Sequence, residues 1–288
     1  MYYVIKKTRN IISIITLLII VGIYLYSTST APKNYEDGIV IHFLDVGQGD
    51  STFIETPKRQ RLLIDGGPSD SVVTKLDNLV PISQRRLDAI ILTHPHADHL
   101  TGLIKLLERY TIKDIYLSGV VYTTPDYLRL LALLKEKKIQ THLAISRNNL
   151  DLGDGIKLDF LFPAQSLEGQ NVDNINNSSV VTKLSWGGSS AIFTGDLEKE
   201  AQSQLLGGDI KANLLKIPHH CSSDAVNVAF INKVNPKYSV ISVGKDNKFG
   251  HPTASCLKAY MGSEIFRTDN DGNIDFLMTK NSLVKLNN

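Results

Sequence analysis

Three of the eight histidines lie within six residues, in the segment Thr93-His94-Pro95-His96-Ala97-Asp98-His99-Leu100. The segment follows an apolar run typical of a strand and precedes a helical pattern. His94 and His96 alternate on extended backbone and share a direction, while Asp98 and His99 lie at the turn into the helix and can face a second point nearby. Imidazole and carboxylate groups bind zinc, manganese or iron, and paired metals about 3.5–4 Å apart are a recurrent hydrolytic device. We therefore expect a site for one or two metals.

The elements that must position this segment alternate along the chain from Gly38 onward. Short β-branched runs bounded by Gly, Pro or Asp indicate strands, and apolar residues at a period near 3.6 indicate helices. The predicted strands are 39–44, 51–55, 62–64, 89–92, 156–162, 180–185, 191–194, 214–217, 238–243 and 273–278, and the predicted helices are 100–110, 126–137, 198–206, 225–234 and 253–261. Trp186-Gly187-Gly188-Ser189 predicts a hairpin turn. The pattern predicts one α/β domain.

The net charge of the chain bears on whether it could bind nucleic acid through its overall charge. The chain has 31 Lys and Arg against 29 Asp and Glu. Lys6, Lys7 and Arg9 precede the first apolar run, so the remainder carries 28 against 29 and a net charge of −1. Such a body argues against a coat protein that binds nucleic acid indifferently through its phosphates. A nuclease with a local basic groove stays open.

The first thirty residues carry a membrane signal. Ile11 to Tyr26 is a run of sixteen mostly apolar residues behind a basic flank, and basic flanks stay in the cytoplasm. We expect a retained transmembrane anchor, residues 1–32, with a hydrolase domain, residues 33–288, on the outer face. Cleavage of the segment as a signal peptide, near Ser29-Thr30-Ala31, is the alternative.

The two cysteines, Cys221 and Cys256, are too few for a disulfide framework in a chain of 288 residues. They also lack the short CxxC spacing of a structural zinc site. We expect both thiols to be unpaired.

Beyond the histidine segment, several further motifs match one family. The matching segments are 43–51 (FLDVGQGDS), 63–67 (LIDGG), 92–103, 193–196 (FTGD), 218–220 (PHH) and 244–252 (GKDNKFGHP). The HxHxDH motif resembles the metallo-β-lactamase superfamily. The fuller set resembles the metallo-hydrolase domain of ComEC-type competence proteins, which take up transforming DNA, from about Ile39 to Met278. The resemblance implies a four-layer αββα sandwich, here preceded by one transmembrane helix and without the multi-helix channel of those proteins.

The resemblance also implies a set of metal ligands. His94 and His96 would bind the first metal, Asp98 and His99 the second, and Asp196 would bridge the two. His220, with His219 as its alternate, fits a late histidine on the second metal. The superfamily usually supplies another histidine to the first metal about twenty residues before the bridging aspartate, a stretch where this chain has Asn176-Asn177-Ser178-Ser179.

These departures from the family pattern bear on the choice of metal. Asn177 either coordinates through its carbonyl oxygen or leaves the position to water, and an oxygen-rich site would shift preference from zinc toward manganese. Where relatives commonly read His-His-Gly-Ser, this chain has Cys221 in place of the glycine. Cys221 would either ligate a metal or only replace the glycine.

Other residues would support the site or meet substrate. Asp65 is expected to accept a hydrogen bond from a ligand histidine, with an ordinary turn aspartate as the alternative. Asp50, on a glycine-rich turn between two predicted strands, is expected either to stabilise that turn or to lie at the edge of the site. His251 is expected to reach the site as a proton donor or phosphate ligand, accompanied by Lys245 and Asn247.

The expected reaction is hydrolysis by water that one or two zinc or manganese ions activate, with Asp98, Asp196 and His251 as the catalytic side chains. The narrower resemblance favours phosphodiesters, and DNA outside the membrane above all. An enzyme that hydrolyses a small cell-envelope ester or lactam is the first alternative, and a non-catalytic metal-binding module is the second. The expected partners are DNA and the membrane, and nothing in the sequence indicates an obligate protein partner.

Overall fold

The computed structural model describes residue 16, residues 37–146 and residues 148–287. The chain divides into two units, residues 1–34 and 35–288, and the fold and site below lie in the second. The predicted membrane span, Ile11 to Tyr26, falls outside the described residues apart from residue 16. Within the part that is described, no helix has the length and apolar character needed to cross a membrane.

Fifteen strands form two sheets among the described residues. The strands are β1 (Ile39–Phe43), β2 (Thr52–Glu55), β3 (Arg61–Ile64), β4 (Arg86–Leu92), β5 (Thr111–Leu117), β6 (Gln140–Leu143), β7 (Leu150–Asp151), β8 (Ile156–Phe162), β9 (Val181–Trp186), β10 (Ser189–Phe193), β11 (Leu214–Lys216), β12 (Tyr238–Ile241), β13 (Glu264–Arg267), β14 (Ile274–Met278) and β15 (Leu283–Lys285). The first sheet runs β15-β14-β1-β2-β3-β4-β5-β6, and the second runs β13-β12-β11-β10-β9-β8-β7. The predicted hairpin is confirmed, because Ser189 pairs with Trp186 across antiparallel β9 and β10.

Seven α-helices accompany the sheets in the described part of the chain. They are α1 (Ser71–Leu79), α2 (Ala97–Arg109), α3 (Pro125–Glu136), α4 (Lys199–Gln202), α5 (Val228–Val234), α6 (Ala254–Ala259) and α7 (Thr268–Asp271). Short 3-10 turns lie between them, including Pro218–Cys221, which carries two of the candidate ligands.

Three apolar cores define the layer order. One core lies between the sheets and contains side chains from both, such as Phe43 and Phe193. A second packs the first sheet against α1, α2 and α3, with Leu103 and Leu130 at its centre. The third packs the second sheet against α5 and α6, around Phe230. Alternate side chains of each sheet thus enter different cores, and the predicted four-layer αββα sandwich is confirmed.

The parallel strands fix where chemistry can occur. β3 and β4 are parallel, and so are β10, β11 and β12. Because the carboxyl ends of parallel strands meet at one edge of a sheet, the loops after these five strands gather at one edge of the sandwich. Those loops carry Asp65, the His94–His99 segment, Asp196, His219 with His220, and the segment ending at His251.

Candidate metal centre

Four side chains from two loops and the start of one helix converge at this edge. Asp98, His99, Asp196 and His220 each offer a ligand atom, and these atoms all lie within 4.8 Å of one another. Nε2 of His220 lies 3.2 Å from Oδ2 of Asp98 and 3.5 Å from Oδ2 of Asp196. Nε2 of His99 lies 3.3 Å from the same Asp196 oxygen. Oδ2 of Asp196 therefore lies within 3.5 Å of both imidazoles.

Backbone geometry aims His220 at this cluster. Its Nδ1 lies 2.8 Å from the carbonyl oxygen of Ser242, and a carbonyl only accepts, so Nδ1 carries the proton and Nε2 keeps a lone pair for a cation. His219, His220 and Cys221 have φ values of +48°, +50° and +63°. Three successive non-glycine residues in the left-handed region are strained. Such strain is found at functional sites, and here the strained turn orients the His220 side chain.

Asp65 orients His99 in the same way. Its Oδ2 accepts from Nδ1 of His99 at 2.8 Å and from the hydroxyl of Thr93 at 2.7 Å, while Oδ1 accepts from the backbone N–H of Thr93 at 2.8 Å. Asp65 is fully buried. Nε2 of His99 is left to face Asp196, which is the arrangement of a carboxylate that supports a metal-binding histidine.

His94 and His96 form a second, adjacent pair. Because the Thr93 hydroxyl donates its hydrogen bond to Asp65, its oxygen accepts from Nδ1 of His94 at 3.1 Å. Nε2 of His94 is thereby left with its lone pair, and it lies at hydrogen-bond distance, 3.0 Å, from Nδ1 of His96. Two nitrogens bound to one zinc at about 2.0–2.1 Å in tetrahedral geometry are about 3.3 Å apart. The pair therefore suits one ion, and the 4.2 Å between the His94 and His99 ring centroids places it beside the first cluster.

Two glycines permit this close packing. A side chain at Gly102 would overlap the carbonyl oxygens of Gly66 and Ser69, so only glycine lets α2 approach the loop that carries Asp65. Gly195 has φ +52°, and a side chain there would come within 2.8 Å of Thr93. The loop of Asp196 can therefore lie directly against the residue that links Asp65 to His94.

Lys216 is a site residue that the sequence analysis missed. This side chain is 2% exposed and donates to the carbonyl of Gly195 at 3.0 Å. Its ammonium is in contact with Asp50 and lies 3.6 Å from Oδ1 of Asp196. Lys216 is the last residue of β11, two residues before Pro218, and it is buried. A lysine at the end of an otherwise apolar strand was the only feature of the sequence that could have indicated this role. The ammonium balances two buried carboxylates.

Burial and charge together set the protonation of the ligands. Burial opposes the charged form of His99 and His220, but the carboxylate of Asp196, with others nearby, raises the pKa of both imidazoles. Burial alone would raise the pKa of Asp196, yet His220 and His99 hold it well below its usual range. Burial lowers the pKa of His94, which keeps that ring neutral. Without a metal, imidazole protons thus supply the positive charge that the carboxylates require.

The donor set fits a divalent cation. Among the described residues, the buried atoms without a hydrogen bond include Nε2 of His99 and Oδ1 of both Asp196 and Asp50. An unsatisfied buried polar atom costs about 1–3 kcal/mol, so a bound cation that accepted the lone pair of His99 Nε2 would remove one such cost. Imidazole nitrogen with carboxylate oxygen suits zinc, manganese or iron.

The structure places Asn176, not Asn177, against the histidines. The Asn177 side-chain oxygen accepts from the backbone N–H of Glu198 at 3.0 Å, which turns it away from His94 and His96. Asn176 donates to Glu198 at 2.8 Å, and its amide nitrogen lies 3.4 Å from Nε2 of His219. Burial lowers the pKa of His96, and the nearby side chain of Asn176 opposes that shift. The carbonyl oxygen of Asn176 is buried and makes no hydrogen bond, so of the two amides Asn176 has the oxygen that is left without a partner.

His219 and His220 face different neighbours. Nδ1 of His219 lies 3.3 Å from Glu198 and 3.1 Å from the Ser222 hydroxyl, outside the group of four. His220 is therefore the ligand candidate of the pair, and His219 belongs to the wall beside it.

The prediction of unpaired cysteines is wrong. Cys221 and Cys256 form a disulfide, with their Cα atoms 5.5 Å apart. The fold brings the turn of His219 and His220 against the first turn of α6, where Thr253 N–H also donates to the Cys221 carbonyl at 3.0 Å. Cys221 is therefore not a free thiolate, and the bond ties the His220 turn to the segment that follows His251.

His251 lies at the outer side of the site. Its ring is 5.7 Å from that of His219 and 6.3 Å from that of His220, and its Nδ1 is buried without a hydrogen bond. Asn247 does not face the cluster, because its amide bonds to the backbone of its own loop. Lys245 is exposed on that loop, and Asp50 lies inside, 3.5 Å from Nδ1 of His220.

Fold and site together define a family. The family model described as the metallo-beta-lactamase superfamily matches residues 44–245, and the chain belongs to this superfamily. The YhfI protein of Bacillus subtilis, a metallo-beta-lactamase fold protein, is similar in structure, with a TM-score of 0.58 over 84% of this chain and 100% of that one. At 14% sequence identity that likeness concerns the fold alone.

Within the superfamily, the chain is similar to competence proteins and to an exodeoxyribonuclease. It is 31% identical to ComE operon protein 3 of Bacillus subtilis over 82% of this chain and 32% of that protein. It is 28% identical to competence protein ComA of Neisseria gonorrhoeae over 90% of this chain and 35% of that protein. Exodeoxyribonuclease WalJ of Streptococcus pneumoniae is 38% identical over 24% of each chain. This chain thus spans about one third of the length of the two competence relatives.

Proposed function

We propose that this protein is a metal-dependent phosphodiesterase that cleaves DNA outside the cytoplasmic membrane. The observation that carries the proposal is the group Asp98, His99, Asp196 and His220, whose possible ligand atoms lie within 4.8 Å of one another at the edge of a metallo-β-lactamase fold. The names of the competence and exodeoxyribonuclease relatives support DNA as the substrate.

The side chains divide the work of holding metal and substrate. His94 and His96 would hold one ion, and Asp98, His99 and His220 the other, with Asp196 shared between them. When bound, zinc or manganese supplies an activated water and polarises the phosphoryl oxygen. Asp65 and the Ser242 carbonyl fix the two imidazoles whose Nε2 atoms face Asp196.

Two further groups complete the mechanism. The Lys216 ammonium positions the carboxylates of Asp50 and Asp196 through its contacts with both. His251 lies at the outer side of the site, and burial with the charges of His220 and His219 lowers its pKa. A neutral imidazole at this position would donate a hydrogen bond to a phosphate oxygen of the substrate through its one N–H group.

An extracytoplasmic location is part of the proposal. Disulfides persist in oxidising compartments and are rare in the cytosol, and the Cys221–Cys256 bond lies beside a ligand turn. The basic flank before the predicted anchor gives the same orientation. Protease added to intact cells should remove the domain. Protection in intact cells with digestion after lysis would refute this orientation.

The test of the activity is cleavage of labelled DNA by the full chain with manganese or zinc, and with chelator. We expect metal-dependent cleavage, and a loss of at least about 10²-fold in Asp196→Asn. Asp275→Asn is the matched control, because Asp275 also pairs with a histidine, His42 at 2.8 Å, but on β14. A folded, metal-loaded chain that cleaves no DNA would refute the proposal. Turnover of an ester or lactam instead would support an envelope hydrolase.

A further inference from the structure

The rim of the site carries one exposed aromatic side chain that the mechanism does not use. Phe249 is 57% exposed, and it is the single aromatic among the large apolar side chains that the described residues leave exposed. Isolated exposed apolar residues are common and need no explanation. The position and support of Phe249 set it apart.

A row of rings connects Phe249 to the metal centre. His220 lies 5.8 Å from His99, at an interplanar angle of 35°. His251 follows at 6.3 Å from His220, at 29°, and Phe249 follows at 5.9 Å from His251, at 23°. The outermost ring is therefore two steps from a ligand histidine and nearly parallel to its neighbour.

Hydrogen bonds within the loop fix the backbone that carries Phe249. The amide of Asn247 donates to the carbonyls of Gly244 and His251, at 3.0 and 2.6 Å. Its oxygen accepts from the N–H groups of Phe249 and His251, at 3.2 and 3.1 Å. One side chain thus fixes both ends of the segment, and the disulfide fixes the chain just beyond it. A loop ordered in this way presents an apolar ring to water without burying it elsewhere.

Positive charge accompanies the ring. Nζ of Lys248 lies 5.4 Å from the Phe249 ring centroid, and Lys245 is exposed on the same loop. An aromatic face next to exposed ammonium groups is the combination that binds single-stranded nucleic acid, in which the ring stacks on a base and the lysines contact phosphates. A duplex keeps its bases stacked on each other, so only an unpaired or terminal base can use such a face.

We propose that Phe249 is a base-stacking subsite that directs single-stranded nucleic acid, or a frayed end, into the metal centre. The proposal deepens the phosphodiesterase function and rests on it for its biological meaning. Lys248 and Lys245 would supply attraction to the phosphates at the same rim.

The test is binding, measured by fluorescence anisotropy on the full chain in chelator, where no cleavage occurs. The probes are a short oligothymidylate and an abasic oligonucleotide of the same length, which has the phosphates without the bases. Stacking on one base changes affinity by roughly 5- to 150-fold. We expect oligothymidylate to bind more tightly than the abasic strand by a factor in that range.

Variants separate the ring from the charges. Phe249→Ala should bring oligothymidylate down to the affinity of the abasic strand and leave the abasic strand unchanged, while Phe249→Trp should keep the preference. Lys248→Ala should weaken both probes alike and flatten their salt dependence. Ile82→Ala is the control, since Ile82 is 78% exposed but precedes β4, at the opposite edge of the sheet.

The outcomes distinguish this inference from the function on which it rests. Equal affinities of the two probes, or a Phe249→Ala variant that keeps the preference for bases, would overturn the subsite even if the chain cleaves DNA. A Phe249-dependent preference for bases in a chain without hydrolytic activity would uphold the subsite and refute the phosphodiesterase.

Discussion

Replacing Asp65 with asparagine removes one charge from the site and changes almost no volume. In the folded protein Asp65 accepts three hydrogen bonds, two from Thr93 and one from Nδ1 of His99. Asparagine offers one oxygen and one NH₂ group. The oxygen must stay on the Thr93 backbone N–H, so the NH₂ group turns toward Nδ1 of His99.

That exchange changes the tautomer of the His99 imidazole. Nδ1 must then accept, so the proton moves to Nε2, the atom that faces Asp196 at 3.3 Å. A protonated nitrogen cannot bind a metal. Loss of such an outer partner typically costs about 10–100-fold in metal affinity, which corresponds to about 1.4–2.8 kcal/mol. We expect Asp65→Asn to weaken the ion at His99 by this amount and to leave the fold intact.

Competition with a chromogenic chelator measures the affinity, and circular dichroism checks the fold. The matched control is Asp114→Asn, because Asp114 accepts from His142 at the same 2.8 Å, on β5 and β6, away from the centre. The control should bind metal as the wild type does. Wild-type affinity in a folded Asp65→Asn variant would refute the assigned orientation of His99.

Three further changes test other parts of the site. Lys216→Met leaves two buried carboxylates unbalanced and should lower the unfolding free energy in chelator by about 3–5 kcal/mol; urea denaturation that shows a loss below about 1 kcal/mol would contradict the contacts of its ammonium. Joint replacement of Cys221 and Cys256 by serine should cost about 2–4 kcal/mol, and thiol titration that finds both cysteines free in the native wild type would disprove the disulfide. Asn176→His should raise zinc affinity beside His96 in isothermal titration calorimetry, whereas Asn177→His should not. The opposite result would show that Asn177, not Asn176, lies beside the metal site.

The sequence was most informative where ligands are close along the chain. The His94–His99 segment could be recognised because a strand end and a helix start place its four donors together without help from distant elements. The fold class followed from the alternation of strand and helix patterns together with the resemblance. Strand β5 was missed because polar residues interrupt its apolar pattern, and α1 was missed within the connection between β3 and β4.

Contacts between distant segments were beyond sequence reasoning. Lys216 meets Asp50 only because β11 and the turn after β1 share one edge of the sandwich. Cys221 and Cys256, 35 residues apart, meet because α6 packs beside the His220 turn. The choice between Asn176 and Asn177 depends on the 3-10 turn Ile175–Ser178, which determines which of two adjacent amides faces His96.

The central claim is that Asp98, His99, Asp196 and His220 hold a divalent metal, with a second ion at His94 and His96. Anomalous diffraction from crystals of the zinc- or manganese-loaded protein, recorded on both sides of the metal absorption edge, tests it most directly. We expect a peak about 2.0–2.2 Å from Nε2 of His99, Nε2 of His220 and a carboxylate oxygen of Asp196, and a neighbouring peak at His94 and His96. Metal-loaded crystals with no anomalous peak among these side chains, or with the metal bound elsewhere, would contradict it.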